Sequence, residues 1–153
     1  MRATRLVSIG IIVVLVAATA LAYVTFGSGT LVVKLRDPPS WGPAEAVYIT
    51  FSDIAIHRAD AGNESGWFNT GVKGVDLNLL QMVNVSKVIG QTSLQAGLYN
   101  VIRFEITKAI VTVGGANYVC AIESGKLNIP ITKGGVKIET GQTSYLEIDI
   151  TPA

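Results

Sequence analysis

What this chain lacks removes several kinds of chemistry at once. It has one histidine, His57, and one cysteine, Cys120. Zinc wants four nitrogen or sulfur ligands, so the chain cannot build a zinc centre from its soft ligands alone. A single cysteine also rules out an intrachain disulfide, and its position far from the N-terminal segment excludes a lipid anchor of the bacterial type. Cys120 lies in the alternating stretch Tyr118-Val119-Cys120-Ala121. That setting predicts a small buried hydrophobe rather than a reactive thiol, with two cysteines facing each other across a dimer as the other arrangement. Charged residues make up only 15% of the chain, its net charge is +1, and no like-charged run occurs. A nucleic-acid binder needs a concentrated basic surface, so no nucleic-acid partner is expected. No nucleophile elbow is present, nor any glycine-rich phosphate loop between a strand and a long helix. A catalytic triad would have to use His57, whose neighbours Arg58 and Asp60 instead suit a salt-bridged strand end with the imidazole on the surface.

What is there begins with a long uncharged run. After Arg2 and Arg5 the next charge is Lys34, and Ile11 to Ala22 is almost wholly aliphatic. About 20 apolar residues in helical form span the hydrocarbon core of a bilayer. The basic residues precede the run, so the N-terminus stays cytoplasmic and the remainder is translocated. Residues 1–26 therefore read as a signal peptide or an N-terminal membrane anchor. The small residues of Ala20-Leu21-Ala22 suit a cleavage site, with Ala18-Thr19-Ala20 as a second option. Cleavage at Ala22 would leave Tyr23, Val24, Thr25 and Phe26 as a new N-terminal tail. Residues 27–29, Gly-Ser-Gly, read as a flexible joint, and residues 30–153 as one domain with a real core.

Within that domain, sixteen glycines punctuate short alternating stretches rich in Val, Ile and Thr. Leu31, Val33 and Leu35 share one face of a first strand. From Ala46 to Arg58, Val47, Ile49 and Phe51 have one parity while Ile54 and Ile56 have the other. One strand face cannot bury both sets without an inserted residue, so a bulge is predicted near Ser52-Asp53. His57 then points away from Ile54 and Ile56, toward solvent or a neighbouring edge. Asp76 is placed to cap a short helical turn bearing Leu79, Leu80 and Val83, with a second turn through Val85 to Ile89. Leu98, Ile102, Phe104 and Ile106 alternate with Tyr99, Val101, Arg103 and Glu105. Gly114-Gly115-Ala116-Asn117 marks a hairpin loop, and Pro130 marks an edge strand or a strand end. The pattern predicts an all-β fold, an antiparallel β-sandwich of about eight strands with one or two short helical turns, preceded by an N-terminal hydrophobic helix.

The stretch from Ala46 to Ala59, Ala-Val-Tyr-Ile-Thr-Phe-Ser-Asp-Ile-Ala-Ile-His-Arg-Ala, resembles the opening motif of the DUF4382 domains of bacteria and archaea. Gly29-Thr30-Leu31 and Asp37-Pro38-Pro39 precede it. Val75-Asp76-Leu77, Leu94-Gln95-Ala96-Gly97-Leu98-Tyr99, Gly125-Lys126-Leu127-Asn128-Ile129-Pro130 and the strand from Thr143 to Ile150 follow in the same order. Gln95 stands where the pattern usually has proline, and the lipid-anchoring cysteine of many bacterial members is missing. The resemblance implies an extracytoplasmic β-sandwich of roughly residues 29–150. It implies no reaction.

Other chemistry fares poorly on the residues. Glu105, Glu139, Glu147 and Asp149 fall on outward strand faces, and no loop is long enough to wall a cleft for glycoside cleavage. Asp53, Asp60, Asn63 and Glu64 cluster in sequence around one turn but match no calcium-loop spacing. No enzymatic activity, cofactor or metal is expected. Asn63-Glu64-Ser65 and Asn84-Val85-Ser86 are glycan acceptor motifs for an exported chain, so Asn63 and Asn84 are glycosylation candidates. Trp41, Trp67, Tyr48, Tyr99 and Tyr145 are the aromatic candidates for a sugar or peptide platform.

Two functions compete on these grounds. The first is a non-enzymatic exported cell-surface protein, structural or adhesive, whose tail Tyr23, Val24, Thr25 and Phe26 adds as a strand to another subunit. Archaeal filaments built from sandwiches supply only an analogy for it. The alternative is a membrane-tethered module that binds a sugar or peptide. The expected partners are the membrane, through the N-terminal segment, and copies of the chain or other surface proteins.

Overall fold

The computed structural model describes residues 12–23, 27–36, 42–62, 64–82, 86–122 and 124–149. A helix, α1, covers residues 12–23 and exposes Ile12, Val13, Val14, Leu15, Val16 and Leu21. The Thr19 hydroxyl donates back to the carbonyls of Leu15 and Val16, 3.1 and 3.0 Å away, so this polar group is satisfied on its own helix. Among the described residues no helix is long and apolar enough to cross a membrane.

Among the described residues ten strands follow in two sheets. The smaller sheet has the order β10 (Thr143–Asp149), β1 (Ser28–Arg36), β5 (Lys87–Gln95). The larger is built on two long partners, β2 (Ala46–Arg58) and β6 (Gly97–Val113). Along the free side of β2 lie β3 (Trp67–Asn69) and β4 (Val75–Asn78). Along the free side of β6 lie β9 (Val136–Ile138), β8 (Lys126–Pro130) and β7 (Ala116–Val119). Leu31, Val33 and Leu35 of β1 pack against Phe51, Ile54, Ile56, Ile102 and Phe104, all essentially without exposure. The Phe51 and Phe104 rings meet at 5.0 Å in a tilted pair.

The fold is the expected β-sandwich, with differences that have identifiable causes. All pairs are antiparallel except β1 with β10, which run parallel from Thr30↔Thr143 to Arg36↔Asp149. The long connection between them lets the last strand close the small sheet beside the first.

The bulge near Ser52 is present. Phe51 pairs with Ile106 and Asp53 with Glu105, leaving Ser52 over, so both apolar sets of β2 reach the core. Two further irregularities were not anticipated: Thr50 pairs with Lys108 and Phe51 with Ile106, which leaves Thr107 over, and the other lies at the end of β2. His57 pairs with Val101 but Arg58 with Tyr99, which leaves Asn100 over and reverses parity. Tyr99, expected outside, is fully buried, and Leu98, expected inside, is exposed.

The expected cap and helical turns also give way. Asp76 sits inside β4 and accepts the Thr50 hydroxyl at 2.6 Å. Asn78 Oδ1 receives the Leu80 amide instead, at the start of a single 3-10 turn, Leu79–Met82. The segment from Lys87 to Ile89 is strand, not helix. Nor does the Gly-Ser-Gly joint hang free. Ser28 and Gly29 are the first residues of β1, and the Gly27 carbonyl accepts the Ala96 amide at 2.7 Å. A Cβ on Gly29 would stand 2.2 Å from the Glu139 carbonyl oxygen, so glycine is required there for close packing rather than for freedom.

Candidate functional site: an open edge between the two sheets

Side by side along β6, β9 and β8 form one rim of the sandwich, and β10 of the other sheet faces them. At β9 the rim is closed, where the Ser144 hydroxyl donates to the Lys137 carbonyl at 2.7 Å. At β8 it opens into a cleft of about 210 Å³. Its walls include Ile129 and Ile131 on one side and Leu146 and Ile148 on the other, with Ile102 of the core at its floor. Glu147, Asp149 and Thr132 stand at the mouth. Alternation along β10 creates this arrangement: Leu146 and Ile148 point into the sandwich, while Tyr145, Glu147 and Asp149 point out. Among the described residues, β10 pairs only with β1 and β8 only with β6, so each presents an unpaired main-chain edge. Such an edge beside an apolar floor has what an added strand needs, main-chain groups for hydrogen bonds and a surface for alternate side chains.

The residues expected to donate are partly visible. Tyr23 is the last residue of α1, and its carbonyl receives the Gly27 amide at 2.9 Å and the Thr140 hydroxyl at 3.3 Å. It lines a wider hollow of about 510 Å³ at the β9–β10 turn with Lys137, Ile138, Glu139 and Gln142. Val24, Thr25 and Phe26 lie outside the described residues, as do Trp41 and both glycosylation candidates, Asn63 and Asn84.

His57 points to the outer face, as its parity requires, but it is not solvated. Trp67 meets it edge-on at 4.9 Å, and the residue is buried. Nε2 donates to the carbonyls of Ser65 and Gly62, 2.8 and 3.0 Å away, which places a proton on that nitrogen. An Nε2 committed to two carbonyls anchors the backbone of Gly62 and Ser65 to β2.

Arg58 forks onto both oxygens of Asp60, at 2.8 and 2.9 Å, and reaches Gln95 Oε1 at 2.8 Å. The guanidinium bond holds the Asp60 carboxyl below its ordinary range. Asp53 accepts the Ile54 amide at 2.7 Å and the Asn69 side-chain amide. Of the oxygens weighed for calcium, those of Asp53 and Asp60 are engaged in separate pairs.

The aromatic candidates divide. Tyr48 and Tyr145 are exposed, the latter with Lys34 Nζ 4.8 Å from its ring centre. Tyr99 is buried and donates to the Gln95 carbonyl at 2.9 Å. Arg103 covers Trp67, its guanidinium 3.7 Å from the ring centre and its Nε bonded to Asn128. Neither Tyr99 nor Trp67 offers a free platform.

Cys120 is exposed, against expectation, because it follows β7, which no second layer covers. The open cleft itself was beyond sequence reasoning, since it depends on which strands become neighbours across the two sheets.

No curated protein matches the chain. The model of the family described as "Domain of unknown function (DUF4382)" matches residues 28–153, from the first residue of β1 onward, and α1 lies outside that match. The chain belongs to the DUF4382 family.

Proposed function

We propose that the chain is a non-enzymatic, exported cell-surface protein whose domain assembles with copies of itself by strand donation. The observation that carries this reading is the cleft between β8 and β10, where half-buried Ile129 and Ile131 lie over the buried Ile102, Leu146 and Ile148, between two strands whose outer edges are unpaired among the described residues. The donor is the segment Tyr23, Val24, Thr25 and Phe26 of a neighbouring subunit. As a strand it would present Val24 and Phe26 on one face, the alternation an apolar floor selects. At Tyr23, the part of this segment among the described residues, release from its own domain gives up the two hydrogen bonds to the Tyr23 carbonyl. Cleavage after Ala22 frees it; without cleavage the chain remains a tethered sandwich outside the membrane.

The protein isolated from its native membrane is expected to form polymers that resist heat and detergent. Val24→Asp with Phe26→Asp should abolish them while leaving the melting temperature of the monomer unchanged. A strictly monomeric native protein refutes strand donation.

One observation favours the other reading, a tethered binding module for a sugar or peptide. Tyr48, Ile110, Thr50, Asp76 and Lys108 surround a shallow hollow of about 340 Å³ on the outer face. Binding of a glycan that vanishes in Tyr48→Ala would favour it over assembly.

A further inference from the structure

Natural sheets blunt their free edges with charge, proline, bulges or very short strands, because an unprotected edge pairs with whatever strand it meets. The free edges of this domain follow the rule with one exception. Strand β8 has Lys126 and Pro130, β10 has Glu147 and Asp149, β9 has Lys137 and β4 has Asp76. Strand β5 has Lys87 and a register shift beside Gly90, and β3 is three residues long. Strand β7, four residues long, is short but has no charge, proline or bulge, and no charged residue occurs from Ala109 to Ile122.

This edge is also well formed. Gly114 and Gly115 have φ of 57° and 75°, the left-handed pair that a two-residue hairpin requires, so β6 and β7 are in fixed register. Tyr118 is 59% and Val119 77% exposed. Tyr118 lies in one row with Val111 and Val47, and Val119 in another with Ile110 and Tyr48, so each face of the edge carries apolar side chains.

The Cys120 amide donates to the Ala109 carbonyl at 2.9 Å. By the alternation of an antiparallel ladder, Tyr118 also turns its main-chain groups toward β6, and Asn117 and Val119 turn theirs outward.

We propose that β7 pairs antiparallel with β7 of a second copy, about a two-fold axis through Tyr118. In that register Asn117 of each copy bonds Val119 of the other, using every outward main-chain group of the strand. The two Tyr118 side chains face each other at the closely spaced position of the ladder. The absence of charge selects a second copy as the occupant. A two-fold axis sets an edge against its own copy, so an edge that carries charge of one sign, such as β10 with Glu147 and Asp149, repels its partner, whereas β7 has nothing to repel. The contact is small and belongs to the weak class of interfaces, below about 1,200 Å². Confinement to one membrane surface, or to neighbouring filaments, raises its effective concentration. It would link laterally what strand donation links end to end.

Cysteine cross-linking tests the register. The full-length chain in detergent, carrying Val24→Asp, Phe26→Asp and Cys120→Ser, keeps the readout independent of strand donation. Adding Tyr118→Cys should give disulfide-linked dimers on oxidation with diamide. Asn117→Cys in the same background should give at least about tenfold less, because the paired Cα atoms then lie beyond the roughly 7 Å a disulfide spans. Val119→Lys added to the Tyr118→Cys chain should suppress the dimer. The proposal is overturned if Tyr118→Cys stays monomeric, if Asn117→Cys links equally well, or if Val119→Lys has no effect.

Discussion

Substituting Gly29 by alanine distinguishes a packed β1 start from a loose linker, because only the first predicts a loss of stability. In a loose joint the change restricts the folded and unfolded chains alike and leaves stability about unchanged. In the structure, the new methyl would stand 2.2 Å from the Glu139 carbonyl oxygen, 2.9 Å from that of Gln142 and 3.0 Å from Ile138 Cγ2. Two of these neighbours are main-chain atoms of the β9–β10 connection and cannot rotate away. Gly29 is not among the residues with positive φ, so the penalty is steric and not conformational.

Overpacking of this kind costs about 1–3 kcal/mol. Moving the connection also weakens the bonds from Gly141 N–H to the Ser28 carbonyl (2.9 Å) and from Thr30 N–H to the Gln142 carbonyl (2.8 Å). Each is worth about 1 kcal/mol. Less the gain in the unfolded chain, Gly29→Ala should destabilise by about 2–4 kcal/mol, a large share of the roughly 5–15 kcal/mol that holds a domain together. At roughly 4 °C per kcal/mol for a domain of this size, the melting temperature falls by about 8–16 °C. Thermal unfolding followed by far-ultraviolet circular dichroism reads this directly. An unchanged or raised melting temperature refutes the packing argument for the joint.

Tyr99→Phe removes the hydroxyl bond to Gln95 and should cost about 1 kcal/mol in urea unfolding at neutral pH. Burial raises the Tyr99 pKa above its ordinary 10, so this residue's contribution is complete below pH 10 and is lost as pH rises through the folded value. The variant should therefore lose less stability than the parent above pH 10, and equal alkaline slopes would contradict the assignment. His57→Ala removes two bonds to loop carbonyls and the ring contact with Trp67, together about 2–4 kcal/mol. Faster proteolysis within residues 59–66 and altered tryptophan fluorescence should accompany the loss, and an unchanged digestion pattern would count against the anchoring role.

How far the sequence could be read depended on whether its pattern had one solution. In β2 the apolar residues switch parity within a single uninterrupted strand, and only an inserted residue buries both sets, so the bulge at Ser52 was legible. In β6 the same device at Asn100 was not, because Leu98 and Tyr99 are both apolar and either can serve as core. Asp76 met the local rule for a helix cap, but pairing with Thr50 across β2 outweighed it. Cys120 sits in a buried-looking alternation, and its exposure follows from a missing second layer that no local pattern records.

The candidate site shows the same division. Alternation in the last strand already says that Leu146 and Ile148 face one way and Glu147 and Asp149 the other. It says nothing about which strand stands opposite.

Composition and period alone determined the all-β class, the core faces of β1 and β2, the apolar N-terminal run and the poverty of catalytic side chains. These follow from side-chain chemistry and from the two-residue repeat of a strand, both local. The tertiary structure alone decided that β10 lies parallel to β1, that the rim closes at β9 and opens at β8, that His57 is buried, and that β7 is left uncovered. Those are contacts between residues far apart in the chain, where many pairings satisfy the same local pattern and only the packing of the whole selects one.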